Sequence, residues 1–338
     1  MRLDLNEGAL GPSPKAIKAL SSMSSKIHTY PTESTSGLVE AIGVRYGIND
    51  PSRIVLGCGS DELIRMLTQA YLEPGDEAIH TQYGFLQFPI ATKIAGGVPV
   101  SAPDNHYTAS VDAILECISS RTKIVFLANP NNPTGTYLSN NELRRLRVEL
   151  PSRVLLVLDA AYAEYVQMHD YTAGIDLVEQ TDNTVMLRTF SKMYAMAGLR
   201  LGWAYCSDDI AATLYAVKPP YSVNALSLPA GVAAVNDLKF QKKSLSHNAI
   251  WLPWLQNEFK KLGMKPYSSV TNFFIIRLPK QAREYLVKRG IIVRSMSDYG
   301  KKEFIRISVG LEDDNRAVIA AMVDFFNQIE VRTQDLSL

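Results

Sequence analysis

From about residue 50 to 210, short apolar runs alternate with stretches of helical period. Arg53-Ile54-Val55-Leu56 reads as a strand, and Asp61 to Leu72 carries Leu63, Ile64, Leu67 and Tyr71 at helical spacing. Lys123-Ile124-Val125-Phe126-Leu127 and Val154-Leu155-Leu156-Val157-Leu158 are continuous apolar runs, the pattern of parallel strands buried on both faces. Between them, Ser139-Asn140-Asn141-Glu142 has capping-box spacing and opens a helix that Pro151 ends. Val185-Met186-Leu187 and Trp203-Ala204-Tyr205-Cys206 add further strands. This rhythm predicts an α/β fold with a mostly parallel, doubly wound sheet. Its crossovers are right-handed, and ligands gather at the carboxyl ends of its strands.

The last third has a different pattern. Trp251 to Leu262 is helical, Asn272–Ile276 and Phe304–Ser308 are strand-like, and Asn315 to Ile329 is an amphipathic helix. A smaller α/β domain is expected there, completed by the N-terminal segment. The expected division is 31–244 for the large domain, and 1–30 with 245–338 for the small one. A length of 338 residues suits two cores sharing one cleft.

Composition narrows the function classes. The chain is 46% hydrophobic and 20% charged with a net charge of +1, which leaves no basic footprint for nucleic acid or a membrane surface. No apolar run approaches the roughly 18–20 residues that span a bilayer. Met1 to Glu7 lacks the apolar core of a signal peptide, so a cytoplasmic location is expected. Cys58, Cys117 and Cys206 form no CxxC pair and read as reduced thiols. The five histidines form no metal-ligand cluster, and no metal is expected.

Four segments carry candidate chemistry. In Thr189-Phe190-Ser191-Lys192, followed by Ala197-Gly198-Leu199-Arg200-Leu201-Gly202, a lysine after a strand end could form a Schiff base with an aldehyde cofactor. Arg200, with Ser191 and Thr189, could hold a phosphate. Taken alone, Lys192 reads as a solvated surface lysine. In Val157-Leu158-Asp159-Ala160-Ala161-Tyr162 a buried strand ends in a carboxylate, which needs a cation such as a protonated pyridine nitrogen, or else caps the next helix. Asn129-Pro130-Asn131-Asn132-Pro133-Thr134-Gly135 makes a rigid turn that presents Asn132. Gly57-Cys58-Gly59-Ser60-Asp61-Glu62 joins a strand to a helix whose N-terminal N–H groups suit a phosphate. The backbone of Asp61, not its carboxylate, is expected to face that anion. Glu62 stands where a dinucleotide fingerprint needs its third glycine, which argues against a nicotinamide-dependent dehydrogenase.

In this order the four segments closely resemble the fold-type-I aminotransferases that depend on pyridoxal 5′-phosphate, and within them the histidinol-phosphate aminotransferase family. The resemblance runs from Leu5-Asn6-Glu7 and Gly11-Pro12-Ser13-Pro14 to Ile305-Arg306-Ile307-Ser308-Val309-Gly310. It implies that Lys192 carries the cofactor covalently, that Asp159 pairs with the ring nitrogen, and that Tyr162 and Asn132 bond the ring oxygen. Gly59, Ser60, Asp61, Ser191 and Arg200 are expected at the phosphate. In Gln82-Tyr83-Gly84-Phe85 the ring-stacking role is assigned to Tyr83, with Phe85 as the fallback. Tyr30-Pro31 is similar to a pair whose tyrosine enters the other subunit's site, which implies a homodimer. Arg306 and Arg294 resemble arginines that grip the substrate's anionic end, and Asn6 is expected at the substrate.

Three departures from the family pattern stand out. Asn6-Glu7-Gly8-Ala9 replaces Asn-Glu-Asn-Pro, and Asp159-Ala160-Ala161-Tyr162 replaces Asp-Glu-Ala-Tyr. The chain also begins almost at its Leu-Asn-Glu segment, so a preceding arm with its own tyrosine is expected to be missing. The resemblance implies transamination between L-histidinol phosphate and 2-oxoglutarate. Aromatic-amino-acid transamination and threonine-phosphate decarboxylation on the same scaffold stay open, as does a cofactor-binding module without catalysis.

Overall fold

The computed structural model describes residues 1–31 and 35–335. Its strands are β1 (Arg2–Leu3), β2 (Ile54–Gly57), β3 (Glu77–Thr81), β4 (Val98–Ala102), β5 (Thr122–Ala128), β6 (Leu155–Asp159), β7 (Thr184–Thr189), β8 (Gly202–Tyr205), β9 (Phe273–Arg277), β10 (Ile292–Met296) and β11 (Lys301–Ser308). The apolar runs expected as strands fall in β2 and β5 to β9 and in β11. β3 and β4 were not among the expected elements. Glu77-Ala78-Ile79-His80-Thr81 mixes polar and apolar positions, and Pro99 interrupts β4, so neither shows a clean period.

The large sheet has the order β2-β8-β7-β6-β5-β3-β4. The five strands from β7 to β4 run parallel, while β8 is antiparallel to both of its neighbours. The reversal has a local cause. Residues 190–201 return the chain without a crossover helix, and the Phe190 N–H donates to the Leu201 carbonyl as the turn closes. A return of that kind makes an antiparallel neighbour. Ile124, Val125, Phe126 and Leu127 are buried, as a strand covered on both faces requires. Ser139 Oγ caps the helix Asn140–Glu149 by accepting from the Glu142 N–H at 3.4 Å.

The small sheet has the order β1-β10-β11-β9. The helices Leu238–Lys261 and Glu312–Asp335 supply Leu255, Phe259, Val318 and Met322 to a core with Phe274, Ile276, Ile305 and Ile307. Residues 1–30, expected together in the small domain, divide between the two cores. β1 pairs with β10. The helix Pro14–Met23, capped by Ser13 Oγ with Pro14 in its first turn, packs against the helix Ser227–Val235. Its buried Ala16 belongs to a cluster with Leu38, Leu201 and Ala230, so burial of its apolar face binds it to the large domain.

A buried ion pair sits behind the strand ends. Arg188, one residue before the end of β7, donates to Glu164 Oε1 at 2.6 Å, with side chains 4% and 7% exposed. Tyr46 Oη also donates to that carboxylate, at 2.9 Å. The pair ties the turn after Tyr162 to the strand before Lys192. Replacing Arg188 with Met leaves the Glu164 charge buried with one partner fewer, and is expected to cost about 3–5 kcal/mol in denaturant unfolding.

Candidate active site

The carboxyl ends of β5, β6 and β7 lie side by side, because Ala128 pairs with Asp159 and Asp159 with Leu187. A cavity of about 250 Å³ opens above them. Ser60, Asp61, Asn132, Asp159, Tyr162, Thr189, Ser191, Lys192 and Arg200 all line it, so the four candidate segments converge.

Asp159 is buried, and Oδ1 accepts the Ala161 N–H at 3.1 Å, its one hydrogen bond among the described residues. Burial pushes its carboxyl up to about 7, the Ala161 bond works against that, Asp61 adds to it, and Lys192 opposes it. Lys192 Nζ donates to the Leu5 carbonyl at 2.9 Å and lies 5.7 Å from the Tyr162 ring centre.

The anion cup forms where the helix Gly59–Tyr71 begins. Arg200, held at φ 52°, donates to Ser191 Oγ at 3.4 Å, to the Ala197 carbonyl at 3.2 Å and to Asp61 Oδ2 at 3.2 Å. The Asp61 carboxylate therefore turns to Arg200. A Cβ on Gly59, itself at φ +76°, would collide with the Arg200 guanidinium, so this loop needs glycine to admit the arginine.

The N-terminal segment crosses the cleft as a strap. Arg306 donates to the Asp4 carbonyl at 2.7 Å and to Asn132 Oδ1, and Asn272 Nδ2 bonds the carbonyls of Asn6 and Glu7 at 3.1 and 3.2 Å. Arg306 Nε is buried without a partner among the described residues, and burial lowers its pKa. The strap lies so close to the Lys192 turn that a Cβ on Gly8 would come within 2.7 Å of the Lys192 carbonyl and 2.6 Å of the Ala195 Cβ. The glycine at this departure from the family pattern therefore has a steric reason.

Three expected residues, Tyr83, Arg294 and Asn6, are placed differently. Phe85 lines the cavity, whereas the Tyr83 ring lies on Tyr107 with centroids 5.2 Å apart. Tyr83 is in the tight turn that precedes Phe85, where the Gly84 N–H bonds the Thr81 carbonyl at 2.9 Å. Arg294 faces Arg306 in register, but its guanidinium pairs with Asp298 at 2.6 Å, four residues on, whereas Arg306 bonds Asn132, which lines the cavity. Asn6 is 1% exposed, with its amide engaged by Tyr162 and Ser308. Tyr30 is 79% exposed and stacks on Tyr221 at 4.7 Å, away from the cavity of its own chain. Sequence reading missed the carbonyls of Asp4 and Leu5, which carry no residue-type signal. It also missed Ser308, which the period of two from Arg306 in β11 could have found.

A buried carboxylate awaiting a cation, a lysine beside it and an anion cup at a helix start define a site for a covalently held, phosphate-bearing cofactor. Residues 1–323 match the model of the family described as aminotransferase class I and II. The chain belongs to that family. It is 49% identical to a histidinol-phosphate aminotransferase of Paramagnetospirillum magneticum, over 96% of this chain and 91% of the relative. It is 44% identical to one of Rhodopseudomonas palustris, over 97% and 91%. The crystal structure of histidinol-phosphate aminotransferase from Sinorhizobium meliloti in complex with pyridoxal-5′-phosphate has the same fold. Its TM-score is 0.90 at 24% identity, covering 97% of this chain and 91% of that one.

Two outcomes follow from this geometry. Gly8→Ala is expected to destabilise the protein by about 1–3 kcal/mol in denaturant unfolding, because strap or turn must shift. The second concerns pH. With the folded carboxyl of Asp159 near 7 and the unfolded one near 3.8, the unfolded chain releases its proton first. Stability of the ligand-free protein therefore falls as pH rises between those values. Asp159→Asn is expected to match wild type at pH 4 and to exceed it at pH 8, by up to roughly 4 kcal/mol.

Proposed function

We propose that this aminotransferase converts L-histidinol phosphate and 2-oxoglutarate to imidazole-acetol phosphate and L-glutamate, in histidine biosynthesis, with pyridoxal 5′-phosphate bound at Lys192. The observation that carries the reading is the convergence of Lys192, Asp159, Asn132, Tyr162 and Arg200 on one cavity, in a chain 44–49% identical to proteins named for that reaction. The residues fit the cofactor. Asp159 is a buried carboxylate that makes no ion pair among the described residues, and a pyridinium nitrogen would supply one.

When bound, the cofactor supplies an aldehyde that takes up amines and a ring that absorbs the electron pair left at the substrate Cα. The chain supplies the rest. With the cofactor bound, Lys192 Nζ would serve as the base that takes the substrate's Cα proton and as the acid that gives it back. Asp159 would hold a ring nitrogen in its protonated form. Tyr162 and Asn132 would orient the ring oxygen, and Arg306 keeps the Asn132 amide turned by bonding its Oδ1. Ser60, Asp61, Thr189, Ser191 and Arg200 would hold the phosphate, and Phe85, which lines the cavity, would take the ring-stacking role in place of Tyr83. Arg306 receives the substrate's phosphate or carboxylate, since a guanidinium fork fits either anion.

We assign the working unit as a homodimer in which Tyr30 serves the partner's site. Its ring is exposed in the single chain, on a surface with Tyr221 and Tyr215. Among the described residues no helix is long and apolar enough to cross a membrane. A cytoplasmic location is part of the same proposal.

The test is a single-turnover spectrum of the cofactor-loaded protein. L-Histidinol phosphate is expected to convert the visible band to the pyridoxamine form far faster than phenylalanine or threonine phosphate. Lys192→Ala is expected to abolish turnover. A preference for phenylalanine would move the assignment to aromatic substrates, and the absence of any visible band would overturn it.

A further inference from the structure

Asn6 is among the most buried polar residues of the cleft, and its amide is spent before any substrate could reach it. Its Nδ2 donates to Tyr162 Oη at 2.9 Å. Its Oδ1 accepts from Ser308 Oγ at 3.0 Å. Ser308 Oγ in turn accepts the Asn6 backbone N–H at 2.9 Å, which leaves the Ser308 proton for the amide oxygen. The amide therefore has one orientation, with oxygen toward Ser308 and nitrogen toward Tyr162. The backbone is fitted to this, since Asn6 sits at φ 55°, a left-handed conformation that asparagine tolerates better than most residues.

Direction is the consequence. A phenol hydroxyl has one proton and accepts elsewhere. With Asn6 Nδ2 filling an acceptor position, the Tyr162 proton is free to point into the cavity. We propose that Asn6, held by Ser308, is a positioning residue that makes Tyr162 an obligate hydrogen-bond donor toward the bound cofactor's ring oxygen. The inference rests on the reading that Tyr162 meets that oxygen. It assigns Asn6 a role through Tyr162 rather than contact with substrate.

The alternative is that Asn6 only fastens the strap. Asn272 already does that, through the carbonyls of Asn6 and Glu7, and those bonds would survive loss of the Asn6 side chain. The other ionisable groups around Tyr162 are Lys192, Arg306, Tyr165 and Tyr299. None of them donates a hydrogen bond to its hydroxyl among the described residues.

The test is the pH midpoint of the visible absorption band of the cofactor-loaded protein, titrated without substrate. A donor to the ring oxygen favours its deprotonated form, so weakening the donor raises the midpoint. Tyr162→Phe is expected to raise it by about one pH unit, the size of one net hydrogen bond. Asn6→Leu is expected to raise it by about half a unit or more, and Asn6→Leu with Tyr162→Phe no further than Tyr162→Phe alone. Asn6→Asp keeps the shape but offers Tyr162 an acceptor, and is expected to raise the midpoint at least as much as Asn6→Leu. It also carries the test if the leucine variant does not fold. An unmoved midpoint in the Asn6 variants beside a shifted Tyr162→Phe would overturn the proposal, as would shifts that simply add. An unmoved midpoint in Tyr162→Phe would instead overturn the placement of Tyr162 on the ring oxygen.

Discussion

A carboxylate buried at the end of a central strand is the constraint around which this protein is organised. Asp159 is buried, accepts the Ala161 N–H and makes no ion pair among the described residues, so its charged form is disfavoured until a positive group arrives. The sheet makes the arrangement tolerable. β5 and β7 hold β6 on both sides, and the buried Arg188–Glu164 pair stiffens the chain just beyond Tyr162 and just before Lys192. The scaffold carries this unfavourable group in the place where a cationic ring would turn it into a favourable one.

The strap is the second organising feature. Residues 4–8 join the two sheets across the cavity: Lys192 and Arg306 hold its carbonyls, Asn272 and Ser308 hold it from the small domain, and Gly8 lets it touch the Lys192 turn. The groups that would bind cofactor and substrate are thus already engaged with backbone oxygens. An incoming amine or anion would exchange one hydrogen-bonded state for another, at little cost.

Much of the site was legible because its chemistry is coded by residue type at strand ends. Lys192, Asp159 and Asn132 each stand at or just after the end of an apolar run, and a doubly wound sheet brings such ends together; Arg200 arrives from the turn that leads into β8. Phe85 was not legible in this way. Gln82-Tyr83-Gly84-Phe85 offers two aromatics in one tight turn, and which ring faces the cavity depends on how that turn folds against Asp104 and Tyr107. Arg294 and Arg306 look equivalent in sequence and face each other in register. Their separation comes from Asp298, which captures the first, and from Asn132 and the Asp4 carbonyl, which hold the second.

The sequence by itself determined the two α/β units, the parallel core of the larger one and the residue types of the cofactor site, because these follow from local periodicity and from groups that burial would make costly without a partner. The tertiary structure decided that the N-terminal residues serve both units, that Asn6 spends its amide on Tyr162 and Ser308, and that Phe85 rather than Tyr83 lines the cavity. Each of these depends on segments as much as 300 residues apart meeting in space. A hydrogen bond between Asn6 and Ser308 leaves no trace in the local pattern of either.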